Sequence, residues 1–138
     1  MDTAGYAVMW RAAQVCCGAD STLAAGMVGD AVAAAARRPG GGTQADAWQA
    51  FCRLVAQRLP AATARATAGV SGLHRAVCDL PRDQRLAIAL LDVAGLEARA
   101  AADAAGMSRG TLARLRRQAL RTLDGRRSGG RTWWPVSA

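Results

Sequence analysis

Apolar residues recur along this chain at three- and four-residue steps, and stretches that alternate apolar with polar, as a half-buried strand requires, are nearly absent. Val and Ile are sparse, while Ala, Leu, Arg and Gln fill the long windows. The pattern predicts an all-α protein. A first helix runs from about Tyr6 to Cys17 and closes at Gly18. A second, capped by Asp20 or Ser21, continues through an Ala-rich run to Arg38, where Pro39-Gly40-Gly41-Gly42 breaks the chain. Thr43 or Asp46 can cap a third helix, and Pro60 stops it. Its Trp48, Phe51, Cys52, Val55 and Leu59 share one stripe and belong to a core rather than to a ligand site.

Between Pro60 and Gly72 the chain has little large apolar content, so it reads as a linker. Ser71 can cap a short helix with Leu73, Val77 and Leu80 on one side, ended by Pro81. Three better-patterned helices follow, separated by single glycines: Asp83 to Val93, then Gly95; Glu97 to Ala105, then Gly106; Ser108 to about Leu123. The expected organisation is two small helical domains, residues 1–60 and 73–125, joined by the linker 61–72 and followed by a basic tail, 126–138.

The last two helices form a helix-turn-helix pattern. Ala101, Ala102 and Ala105 allow a close helix crossing, Gly106 supplies a left-handed corner, and Ser108 caps a longer helix with Leu112, Leu115, Ala119 and Leu123 turned inward. Its other face carries Arg109, Arg114, Arg116, Arg117 and Arg121.

Charge sharpens this. All 18 basic residues are Arg, and the net charge is +8. A Lys-free, Ala-rich chain also reflects coding bias, so the placement of charge says more than its sum. From Gly106 to Arg131 there are eight Arg and one Asp, a net +7 (8 − 1). Such a cluster fits a polyanion. Arginine can fork onto a phosphate or onto the O6 and N7 edge of guanine. By position Arg109, Thr111 and Arg114 suit base edges, whereas Arg117, Arg121 and Arg126-Arg127 suit phosphates. A solvated basic face is the plain alternative.

Leu80-Pro81-x-x-Gln84-Arg85, Ala87 to Leu96, and Ala101 to Ala105 with Gly106-Met107-Ser108-Arg109-Gly110-Thr111-Leu112 resemble region four of extracytoplasmic-function sigma factors over roughly residues 73–124. The resemblance implies a bacterial transcription regulator that reads the upstream promoter element with its last helix and touches RNA polymerase. It implies DNA contacts from Ser108, Arg109, Thr111, Arg114 and Arg117, to which the charge pattern adds Arg116 and Arg121. The family often has a basic residue after its Thr-Val step and an Arg two residues later; here Ala113 and Leu115 stand there, with Arg114 and Arg116 alongside.

The N-terminal half resembles region two of the same family in outline, through its three helices and the Trp48 to Ala56 segment. Where the family has an acidic, polymerase-docking second helix, only Asp20 and Asp30 remain, and Pro39-Gly40-Gly41-Gly42 replaces the promoter-melting loop. Capturing an unstacked base takes aromatic or polar groups, which glycines do not supply. The expectation is therefore a sigma-like regulator with a DNA-binding C-terminal half, not a stand-alone sigma factor. Its N-terminal half would bind polymerase, an anti-sigma factor or a co-activator.

Other classes fit less well. One His, one Glu and no acid–base–nucleophile grouping argue against an enzyme, and no cofactor is expected. Cys16, Cys17, Cys52 and Cys78 lack zinc-finger spacing and read as reduced thiols. His74 and Cys78 share a helix face, but a structural zinc takes four ligands, so no metal is expected. No long apolar run and no basic, signal-like start are present, which predicts a cytoplasmic protein without a membrane partner. Trp133 and Trp134 are candidate partner-binding residues; they could also fold back between the halves or stack on bases. The runner-up function is a sigma mimic that binds proteins without reading DNA. A third reading is sequence-independent DNA binding through phosphates alone.

Overall fold

Side chains that satisfy orphan amides start each helix of the N-terminal half. The Asp2 carboxylate accepts from the Gly5 amide at 2.7 Å, so α1 (Thr3–Cys17) begins earlier than its apolar pattern alone indicates. Asp20 accepts from the Leu23 amide at 3.0 Å and opens α2 (Ser21–Ala36). Thr43 and Asp46 cap each other's backbone amides at the head of α3 (Gln44–Arg58), joining the two caps that the sequence offers as alternatives. These hydrogen bonds hold the Asp46 carboxyl below its ordinary pKa, with the Arg38 guanidinium adding to them. Gly18 closes α1 in the left-handed region at φ 67°.

A computed structural model describes residues 1–18, 20–60 and 72–127. Among the described residues there are seven α-helices and no strands, as the periodicity predicts. The remaining helices are α4 (Gly72–Cys78), α5 (Arg82–Ile88), α6 (Ala98–Ala105) and α7 (Arg109–Arg127). The pattern predicts one continuous helix from Asp83 to Val93, but α5 widens at Ala89–Val93 into a π-helical turn. There the Ala94 amide reaches the Ala89 carbonyl at 2.8 Å, and Gly95, at φ 68°, lets the Leu96 amide reach that of Leu90 at 3.0 Å. Periodicity does not encode the extra residue in that turn.

Met9, Ala12 and Ala13 of α1, Met27, Val28 and Ala31 of α2, and Phe51 and Val55 of α3 are fully buried. Trp48 meets Phe51 edge to face at 5.5 Å. The same apolar cluster takes in Leu86, Ala87, Ala89 and Leu90, then Ala101, Ala102 and Ala104 of α6, and Leu112 of α7. One core therefore serves helices on both sides of the expected linker, of which residues 61–71 lie outside the described residues. A smaller cluster of Ala76, Val77, Leu80, Ile88, Ala119 and Leu123 seats the second half of α7. α7 runs on to Arg127, past the end predicted near Leu123. Gly125 in its last turn costs about 1 kcal/mol relative to Ala, which the seated turns before it offset.

Two arginines on the first turn of α5 tie helix ends together. Arg82 Nη1 donates to the Leu59 carbonyl at 2.9 Å and to that of Ala56 at 3.3 Å, closing the end of α3. Arg85 is buried, 1% exposed, and donates to the carbonyls of Cys16, Cys78 and Leu80, where α1 and α4 end. Helix C-termini leave carbonyls unpaired and carry partial negative charge, so a guanidinium suits them as a cap. Burial lowers the Arg85 pKa from its ordinary value, but arginine remains a cation at any physiological pH.

Candidate nucleic-acid interface

At the corner, Ala101, Ala102 and Ala104 are buried, and Gly106 takes the predicted left-handed conformation at φ 67°. The Met107 amide bonds back to the Ala102 carbonyl at 3.1 Å, which closes α6. The Ser108 hydroxyl accepts from the Thr111 amide at 3.1 Å, as a cap should, and donates to the Thr111 hydroxyl at 2.9 Å. α7 therefore leaves the corner with a fixed start. Leu112, Ala119 and Leu123 bind its inner face to the two clusters, and Leu115 is half-buried.

At 100° per residue, Gly110, Arg114, Arg117 and Arg121 fall on one line opposite that inner face, and all four are exposed. From Arg114 to Arg121 the line extends roughly 10 Å at 1.5 Å per residue. None of the three arginines forms an ion pair or hydrogen bond with a described residue. Gly110 leads the line without a side chain, which leaves the backbone there open to close approach. Arg109 is exposed at the first position of α7, where free amides and the positive helix end favour an anion.

Arg116 differs from the rest of the expected set. Its Nε and Nη2 fork onto the Asp92 carboxylate at 2.8 and 2.9 Å, which raises its pKa and braces α7 against the π-helical turn. It lies off the exposed line because the helical period turns it toward α5. Asp92 is a residue that sequence reasoning missed. It lies 24 positions away in the chain, so no local spacing announces the pair.

Trp133 and Trp134 lie outside the described residues, as does the side chain of His74. The four cysteines are free and buried, as the sequence indicates. Burial pushes the Cys17 thiol up to about 11 and that of Cys52 up to about 12, and raises those of Cys16 and Cys78. Such thiols are protonated and unreactive at neutral pH. Among the described residues, no helix is long and apolar enough to cross a membrane. No family model, curated protein or solved structure matches the chain.

Proposed function

We propose that the chain is a sigma-factor-like transcription regulator that binds promoter DNA through α7. One observation carries the reading. The Gly106 corner delivers a capped helix whose inner face is locked into the core while Arg114, Arg117 and Arg121 stand exposed on one line, unpaired among the described residues. A line of free guanidiniums on a rigid helix is suited to phosphates and guanine edges in a major groove. In this reading Ser108, Arg109, Thr111 and Arg114 approach base edges, Arg117 and Arg121 hold phosphates, and Arg116 sets the orientation of α7 instead of touching DNA. RNA polymerase is the second partner, which follows from the resemblance of residues 73–124 to sigma region four; an anti-sigma factor or co-activator is a further one, bound by the N-terminal half.

Selection of binding sites from random duplex DNA at physiological salt tests the reading, with an Arg114→Ala/Arg117→Ala variant alongside. An enriched motif that the variant loses is the expected outcome. A specific reader holds its site about a thousandfold or more tighter than random DNA. Salt-sensitive binding without enrichment would reduce the reading to phosphate contact alone. No binding at all would favour a protein-binding sigma mimic, pursued by pull-down against polymerase.

A further inference from the structure

α2 and α3 are joined by an ion pair at each end of their contact. Asp30 of α2 pairs with Arg58 in the last turn of α3, and Arg38, just past α2, pairs with Asp46 in the first turn of α3 at 3.1 Å. Beside the first pair, with Asp30 and Arg58 themselves in its wall, lies a hollow of about 290 Å³. Ala33, Ala34 and Ala50 line it with small side chains, and Arg37 and Arg53 enter it from the two helices. Both nearby carboxylates are already committed to Arg58 and Arg38. Arg37 and Arg53 are exposed and have no hydrogen-bond or ionic partner among the described residues.

Two unpaired guanidiniums facing one hollow repel each other, and a shared anion turns that repulsion into attraction. The small side chains of Ala33, Ala34 and Ala50 leave room for an anion there, and the Asp30 carboxylate in the wall is engaged by Arg58. Guanidinium matches phosphate oxygens in geometry as well as in charge. We propose that this hollow seats a phosphate group between Arg37 and Arg53. The group belongs either to a small phosphorylated molecule or to a nucleic-acid backbone. The seat uses helices other than α7 and does not rest on the DNA reading of that helix.

The test uses the full chain, with Arg37→Gln/Arg53→Gln as the variant and Arg11→Gln as a control for loss of an exposed charge elsewhere. All the positions are exposed, and thermal unfolding checks that the variants fold. Calorimetric titration with inorganic pyrophosphate at low salt reads the first source. One-site binding, weakened about tenfold or more in the double variant and unchanged in the control, assigns the seat to a small phosphorylated ligand. Salt titration of duplex DNA binding reads the second source. A slope reduced by about 1.8, from two contacts at about 0.9 each, in the double variant alone assigns the seat to the DNA backbone. If pyrophosphate fails to bind, or binds the double variant as well as it binds the control, and the DNA slope is also unchanged or DNA binding is absent, the proposal is overturned.

Discussion

The first turn of α5 and the outer line of α7 use the same side chain for opposite ends. Arg82 and Arg85 direct their guanidiniums inward, onto carbonyls at the ends of α1, α3 and α4. Arg114, Arg117 and Arg121 stay outside with no hydrogen-bond or ionic partner among the described residues. Arg116 is intermediate, half-exposed and forked onto Asp92. Residue type is therefore no guide to role in this chain. What separates the groups is whether the backbone around each arginine already supplies acceptors. Where helix ends converge, the guanidinium completes the fold; where a helix face meets solvent, its hydrogen-bonding capacity remains available to a ligand.

Alkaline pH should disturb only the first region, and by the largest amount. Buried thiols have folded-state pKa values raised by burial, Cys17 beside Arg85 to about 11 and Cys52 on α3 to about 12, whereas an unfolded thiol titrates near 8.5. The unfolded chain therefore binds fewer protons above that point, and stability falls as pH rises from about 8.5 toward 11. The loss should reach on the order of 2 kcal/mol for each of Cys17 and Cys52 by pH 10. The outer line of α7 contains no thiol, so it is unaffected. Thermal unfolding across this range checks it, and a flat profile would show that the thiols are hydrated.

Next in size is Arg85→Met, which leaves the carbonyls of Cys16, Cys78 and Leu80 without their guanidinium partner. Each carbonyl left unsatisfied costs about 1–3 kcal/mol, offset by relief of the buried charge, for a net loss near 3 kcal/mol in denaturant unfolding. Unchanged stability would mean that desolvation of the cation cancels its bonds, and would remove the distinction drawn for α5. A smaller effect is expected from Asp92→Asn, which breaks the exposed fork to Arg116. About 0.5–1 kcal/mol of stability should be lost. DNA binding should also weaken modestly, because α7 loses its brace; a gain in affinity would instead place Arg116 among the contacting residues. The least effect on stability belongs to Arg114→Ala/Arg117→Ala, within about 0.5 kcal/mol. The same variant should lower the salt slope of DNA binding by about 0.9 for each phosphate contact it removes. A marked loss of stability would show that these arginines belong with those of α5.

Much of this organisation is legible in the chain because it is written in local spacing. The stripe from Trp48 to Leu59, the caps at Asp20, Thr43 and Ser108, and the corner at Gly106 each depend on residues within about one turn of one another. The inward set Leu112, Ala119 and Leu123 follows from the same period, as does the free line Arg114, Arg117 and Arg121. The sequence alone thus determines an all-α chain with a capped, arginine-lined helix after a tight turn. Tertiary structure alone decides that one core runs through both halves, that Arg85 is buried at the junction of helix ends, and that Arg116 is taken by Asp92. Arg85 reaches a carbonyl 69 positions back in the chain. Such pairings depend on how whole helices pack, and packing reflects the fit of many side chains at once rather than the order of a few neighbours.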